Sequence, residues 1–339
     1  MSIMSTPDTT TSGATRDAAA NTATVARKPC VAFLSAVLDM HYLAPAFRAA
    51  CPGIDLRLGD DLGRLDDIDA ALCWYPPAGV MSKLPNLRLV QSVGAGVDHI
   101  LAVPDLPATA SLCRIVDPDM ARGMVAYVTW AVIHRHRHMD DYIESARTRS
   151  WVEQPVVPPR RHRVGIAGLG TLGMACARAL LGIGYAVSGW SRSAKTDLPD
   201  GLTAYAGQDT LGDFLGQCDT LICLLPLTDE TRGFLNADLF AQLPKGAHLI
   251  NVGRGDHLVE ADLLSALASG QIGAATLDAL TQEPLLPEHP FWDDARILIT
   301  PHIATRTSPD VIAAQMLSNL AVVDAGGRPR WATDPATGY

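Results

Sequence analysis

The chain has 339 residues. That is more than one hydrophobic core ordinarily organises, since single cores stop growing near about 250–300 residues, and two domains are expected. With 27 Lys and Arg against 36 Asp and Glu the formal net charge is −9, which excludes an electrostatic footprint for nucleic acid or an anionic membrane surface.

Residues 1–27 are rich in Ser, Thr, Ala and Asp and lack an apolar h-region, so they read as a disordered leader and not as a secretory signal. No uncharged apolar run long enough to span a bilayer occurs, and no membrane association is expected. The cysteines at 30, 51, 73, 113, 176, 218 and 223 form no CxxC pair and mostly sit in apolar runs, the usage of a reducing, cytoplasmic protein.

From Cys30 onward short apolar runs alternate with amphipathic segments. CVAFLS, IDLRL, AALCW and LRLVQSV read as buried parallel strands, with YLAPAFRAAC as a helix between the first two. One long helix is predicted from Met120 to Thr148, followed by a Pro-rich, basic break, PVVPPRRHR. Six further strands are predicted at RVGIAG, AVSGW, DTLICLL, AHLINV, GAATLD and RILIT, with helices between them. Ser308 as N-cap, Pro309 at the first helical position and glycines past the end mark a last helix. The order predicts an α/β protein: a doubly wound parallel-sheet cofactor domain, 126–304, inserted into a smaller α/β domain built from 28–125 and 305–339. A ligand cleft is expected between them.

The turn after RVGIAG reads Gly168-Leu-Gly170-Thr-Leu-Gly173 between a strand and a helix, the context a dinucleotide-binding turn requires. Gly168 permits the tight turn, Gly170 lets the backbone approach a pyrophosphate, and Gly173 lets helix and strand pack closely. The first-turn N–H groups, those of Thr171 and Leu172 included, would bind the anion. Where an acidic residue commonly holds the ribose hydroxyls, GWSRSAK has Ser191 and Arg192, with Lys195 nearby. A hydroxyl donor and two cations suit a 2′-phosphate, so NADPH is expected in preference to NADH.

Three polar residues follow the C-terminal ends of predicted strands, the edge at which open α/β sheets bind ligands. Arg254 follows AHLINV between two glycines, with a planar guanidinium suited to a carboxylate. Asp278 ends the next strand and Glu283 lies on its loop; His302 follows the last strand in TPHIAT. A His–carboxylate pair beside a nicotinamide is the equipment for reducing a ketone, the imidazole giving the proton. In HRHRH (134–138), His134 and His138 would share a helical face while His136 would not, and no carboxylate completes a defined site, so no metal is expected. His99, after the GAGVD turn, could approach substrate, but a surface or capping role is the one expected; His289 reads as a loop residue.

WYPP (74–77), SVGAGVDHI (92–100), GLGTLG, WSRS, LLPLTDETRGFLN (224–236), LINVGRG (249–255), LDALTQEPL (277–285) and TPHIA make the chain similar to the D-isomer-specific 2-hydroxyacid dehydrogenases, most closely the glyoxylate/hydroxypyruvate reductase A type. The resemblance spans nearly everything from Cys30 to Tyr339. It implies a flavodoxin-like substrate domain and NADPH-dependent reduction of a small 2-oxo acid, with Arg254 binding substrate, His302 as acid–base and Glu283 as its partner. It implies that Gly94, Ala95 and Gly96 hold the substrate carboxylate through backbone N–H groups and that Trp74 closes over a small substrate. It further implies that Asp278 meets the nicotinamide carboxamide, that Leu225, Pro226 and Val252 line the cofactor site, and that a homodimer forms through the helix near 120–140. Leu224, where many relatives have His or Asn, and Ala279-Leu280, where many have Val-Phe, depart from the pattern and bear on fine substrate preference. A reductase of another 2-oxo acid (pyruvate, phenylpyruvate or a branched-chain acid) and a cofactor-sensing regulator on the same fold are the alternative readings.

Overall fold

The computed structural model describes residues 28–335; the leader expected over 1–27 and the last residues, 336–339, lie outside the described residues. The first apolar runs form a parallel sheet of β1 (Cys30–Ser35), β2 (Asp55–Arg57), β3 (Ala70–Trp74), β4 (Leu89–Ser92) and β5 (Ser111–Cys113), in the order β2-β1-β3-β4-β5. Helix α1 (Ala44–Ala50) follows β1, and the one-turn helix α2 (Asp98–Leu101) follows β4.

The helix predicted from Met120 to Thr148 is two helices, α3 (Pro118–His136) and α4 (Met139–Thr148). His138 takes a left-handed backbone (φ 56°) between them, so it does not share a helical face with His134 as expected. Charge accounts for the break. Basic His134, Arg135 and His136 close the last turn of α3, while Asp140 and Asp141 open α4, each matching a helix-dipole end. His134 and Arg135 pair with Asp140 across the corner.

The second sheet contains β6 (Arg163–Ala167), β7 (Ala186–Ser191), β8 (Thr203–Ala206), β9 (Thr220–Cys223), β10 (Ala247–Asn251), β11 (Ile272–Leu277) and β12 (Ile297–Ile299), in the order β12-β11-β10-β9-β6-β7-β8. Helices α5 (Thr171–Ile183), α6 (Leu211–Leu215), α7 (Ala237–Phe240) and α8 (Glu260–Ser269) connect the strands. There are seven strands here, not six. The addition, β8, is a partly exposed edge strand without the apolar run that marked the others. The order reverses between β6 and β9, opening a crevice at their C-terminal ends.

Helix α9 (Pro309–Asp324) returns to the first sheet, where Ile312, Ala313, Met316 and Leu320 join Val31, Phe47 and Leu72 in one core. Ser308 is its N-cap by backbone position, but the hydroxyl bonds the Asp310 carboxylate and not a backbone N–H. Truncating the wholly buried Met316 to alanine would cost about 2–5 kcal/mol. The chain therefore crosses twice between the two sheets. Among the described residues no helix is long and apolar enough to cross a membrane, and all seven cysteines are free.

Candidate active site

The turn after β6 has the shape a pyrophosphate needs. Gly168 sits at φ 110°, a region side-chained residues rarely enter, and a Cβ there would lie 2.5 Å from the Leu224 carbonyl. A Cβ on Gly173 would lie 1.9 Å from the Gly168 carbonyl, so the start of α5 packs directly on the strand. Gly170 faces open space, with nothing within 4 Å of its missing Cβ. An anion can thus reach the N–H groups of Thr171 and Leu172 at the start of a 13-residue helix. Leu225 and Val252 are buried walls at the ends of β9 and β10. Pro226 turns its carbonyl to the Thr231 hydroxyl, 2.6 Å away.

At the end of β7 Ser191 is buried, and its hydroxyl donates to the Ser193 carbonyl at 2.9 Å, bracing the turn. Arg192 and Lys195 are exposed. Arg192 is near enough to Glu230 to help hold that carboxyl low, after the Thr228 hydroxyl and Glu230's own backbone.

Beyond β10 the backbone of Arg254 is clamped on both sides. Asn251 Nδ2 donates to its carbonyl (2.9 Å), and its N–H donates to His257 Nδ1 (3.0 Å). An accepting Nδ1 places the His257 proton on Nε2, which lies 3.2 Å from the Pro226 carbonyl. Burial lowers the His257 pKa and keeps this linker neutral. The guanidinium is held by Asp98, whose Oδ2 accepts from Nε at 3.1 Å, and by the Gly253 carbonyl, which accepts from Nη1 at 2.9 Å. Nη2 lies beneath Gly96, where a Cβ would stand 1.9 Å away. Glycine is the residue that lets the two segments meet. Neither Asp98 nor His257 was singled out from the sequence. The first-turn acid of α2 and the final His of GRGDH were the available signals.

Beyond β11, Asp278 is buried and ties down the loop that carries His302. Its Oδ1 accepts from the Thr300 hydroxyl (2.7 Å) and the Ile303 N–H (2.8 Å), and its Oδ2 from the Ala304 N–H (2.9 Å). One acceptor position on Oδ2 remains by this count. His302 itself has φ 52°, a strained backbone that its neighbours must hold in place. Its Nδ1 lies 2.9 and 3.1 Å from the two carboxylate oxygens of Glu283, and Glu283 Oε1 also accepts the Leu280 N–H at 3.0 Å. Burial pushes the Glu283 carboxyl up, but the bonds from His302 and Leu280 and the nearby Arg254 outweigh it and leave the group low. An ionised Glu283 can only accept, so Nδ1 carries a proton and Nε2 is the nitrogen left for chemistry.

The first sheet closes the crevice. The Trp74 ring stands edge-on to His302 with centroids 5.9 Å apart, and Tyr75 follows it at φ 46°. His99 is not the surface or capping residue expected: it is buried, 4.6 Å from the Trp74 ring and 5.1 Å from the Tyr75 ring. The inner side of α2 lies under those rings, and burial drives the His99 pKa down to about 4. Ser92 shapes the neighbouring loop, accepting the Gly94 N–H at 3.1 Å and donating to the Gly96 carbonyl at 2.7 Å. Ala95 packs against the core of that sheet. Arg254, Glu283 and His302 from the large sheet thus face Trp74, Gly96 and Asp98 from the small one. Among the described residues no group of three or more His, Cys, Asp or Glu is arranged to hold a metal.

Residues 129–304 match the model of the D-isomer specific 2-hydroxyacid dehydrogenase, NAD binding domain family. Glyoxylate/hydroxypyruvate reductase A of Yersinia enterocolitica is 40% identical over 284 residues, 82% of this chain and 90% of the relative. A crystal structure of a D-isomer specific 2-hydroxyacid dehydrogenase from Xanthobacter autotrophicus Py2, in complex with NADPH and MES, is similar with a TM-score of 0.83 at 37% identity, over 92% of this chain and 100% of that one. The NADPH-dependent glyoxylate/hydroxypyruvate reductase of Sinorhizobium meliloti, in complex with NADP and sulfate, is similar with a TM-score of 0.84 at 34% identity, with the same coverage of each chain.

Proposed function

The chain belongs to the D-isomer-specific 2-hydroxyacid dehydrogenase family, and on that premise we propose that it reduces a small 2-oxo acid, glyoxylate or hydroxypyruvate, to glycolate or D-glycerate with NADPH. The observation that carries this reading is the His302–Glu283 pair on the same side of the crevice as Arg254, which is near enough to help hold the Glu283 carboxyl low. Two solved relatives that contain NADPH or NADP support the choice of cofactor.

When bound along the Gly168–Gly173 turn, the cofactor supplies the hydride. Thr171 and Leu172 hold its pyrophosphate, Arg192 and Lys195 meet the 2′-phosphate, Leu225, Pro226 and Val252 line its path, and the remaining Oδ2 acceptor of Asp278 meets the carboxamide. Because Ser191 Oγ is already committed to Ser193, it serves by shaping the turn. Arg254 offers Nη2 to the substrate, and the loop at Ala95 and Gly96 offers backbone N–H groups to its carboxylate. Gly94 contributes shape, since its N–H belongs to Ser92. His302 Nε2 gives its proton to the carbonyl oxygen as the alcohol forms, while Glu283 steadies the imidazolium. Trp74 limits bulk beside the reacting carbon, and closing the two domains around it would exclude water.

The strand order β2-β1-β3-β4-β5 supports reading the small domain as flavodoxin-like. Exposed apolar side chains along α3, α4 and the segment after them, Trp130, Ile143, Trp151 and Val156, support self-association through that face. The test is nicotinamide oxidation at 340 nm with glyoxylate and hydroxypyruvate, NADPH beside NADH. Turnover that prefers NADPH is expected; no turnover with either substrate would overturn the assignment.

A further inference from the structure

We infer that Asp98 restricts this site to 2-oxo acids carrying a single negative charge, and that the same carboxylate sets the pose of Arg254. The inference rests on the reductase reading above and narrows its substrate class.

Asp98 and Arg254 come from different sheets and meet with side chains only 11% and 18% exposed, so water screens the pair poorly. Oδ2 accepts from Arg254 Nε, while Oδ1 is buried without a hydrogen-bond partner. Burial alone would raise the Asp98 carboxyl, yet Arg254 and His99 outweigh it and hold the group low, so its charge persists. Arg254 is thus already matched by one full negative charge before substrate arrives. A monocarboxylate landing on the guanidinium puts a second carboxylate on the same cation, and any further anion adds to that excess.

The surroundings hold little for a second anion. Besides burial, the largest charged influences on the Tyr75 phenol are Arg254, Asp98, Glu283 and Asp256, and the other cationic group of the crevice, His302, is paired with Glu283 at 2.9 Å. Asp256 is matched by Arg232 at 2.8 Å, which removes that cation from use as well. A substrate tail leaving the carbonyl toward Trp74 and Tyr75 enters this balance. A carboxylate or phosphate on the tail meets Asp98 and Glu283 with Arg254 shared among too many anions, and like charges at short range oppose binding. A neutral tail of the same size meets no such repulsion.

The test compares oxaloacetate with 4-methyl-2-oxopentanoate, whose isopropyl group replaces the distal carboxylate at nearly equal volume. Kinetics with NADPH are run on the wild-type chain, on Asp98→Asn, which keeps an acceptor for Nε–H, and on Asp98→Ser. We expect kcat/KM to favour the neutral-tailed acid in the wild type, and the ratio to fall at least about tenfold in Asp98→Asn, as loss of one poorly screened charge implies. Glyoxylate turnover should fall further in Asp98→Ser than in Asp98→Asn, because only the latter still steers the guanidinium. An unchanged ratio in both variants, or a wild type that accepts oxaloacetate as readily as its isostere, would overturn the inference. A chain inactive on every 2-oxo acid sinks the reductase reading instead. The same ratio, read as binding to the NADP-loaded protein by tryptophan fluorescence, then decides on Asp98.

Discussion

Tyr127 Oη stands 2.6 Å from Thr300 Oγ1, and the direction of that bond is fixed by the one after it. Thr300 spends its hydroxyl proton on Asp278 Oδ1, so Tyr127 must be the donor. Burial pushes the phenol up to about 12, and it stays a donor through the neutral range. A relay therefore runs from α3 to the carboxylate that pins the His302 loop. Tyr127→Phe removes one neutral hydrogen bond, worth about 0.5–1.5 kcal/mol. If the relay positions His302, kcat for glyoxylate falls about three- to tenfold with KM within about twofold. A lowered Tm with unchanged kcat would make the bond a matter of stability alone.

Glu283 is the orienter of the proton donor, and Glu283→Gln separates its charge from its size. The amide can still accept the Leu280 N–H, but it can also present an NH2 group to His302 Nδ1 and favour the other tautomer. Loss of kcat/KM by about 10²–10³ is expected, the scale of general acid–base assistance. The affinity for NADPH, measured by fluorescence titration, should barely move. Equal losses in both would mean that the loop had collapsed.

What the sequence disclosed, and what it withheld, follows from the range of each interaction. Strands β6, β10 and β11 are mostly apolar and buried with glycines close by, and Arg254, Glu283 and His302 lie a few residues past the ends of β10, β11 and β12. Periodicity finds both. Strands β5 and β8 are short edges without that pattern, and the corner at His138 interrupts a helix whose composition continues across it. Asp98 is 156 residues from Arg254, so its partner exists only after the two sheets face each other. His99 is buried within its own domain, under rings that arrive from the end of the neighbouring strand β3. The hydroxyl of Ser191 was assigned outward by type, whereas local geometry turns it to Ser193.

Arg192 bears the cofactor preference if that preference is set by charge. Exposed beside the buried Ser191, it is free of any structural duty that Ser191 performs. A charge-assisted bond to a phosphate is worth about 1.5–3 kcal/mol, so Arg192→Ala should raise KM for NADPH by about 10- to 100-fold. KM for NADH, which has no 2′-phosphate, should change less than about twofold by the same reasoning. Parallel increases for both cofactors would move the preference elsewhere, Lys195 being the next residue to change.

Acid should weaken the fold well before its carboxylates titrate. Burial pushes His162 down to about 4 and His248 down to about 3, against about 6.5 for an exposed imidazole. His162 stacks on His136 with ring centroids 4.3 Å apart, so a proton on one opposes a proton on the other. His248 Nε2 lies 2.9 Å from the Thr276 hydroxyl while its Nδ1 has no hydrogen-bond partner, an environment that accepts the neutral ring and not the cation. Above about pH 7 both rings are neutral whether the chain is folded or not, and neither affects stability. As pH falls below about 6.5 the unfolded chain takes up protons that the folded chain refuses. Stability then drops by up to about 1.4 kcal/mol per pH unit for each ring, until folded His162 and His248 protonate near 4 and 3. Asp98, Asp219 and Glu283, whose carboxyls are held low, begin to add their losses only in the lower part of that window, once the unfolded carboxyls start to take up protons below about pH 4.5. Urea unfolding between pH 7.5 and 5 should show the decline, and His248→Asn, which cannot take the proton, should show a shallower one. Parallel declines in the two proteins would mean that His248 shares its environment equally between folded and unfolded chains, contrary to its burial between β10 and β11.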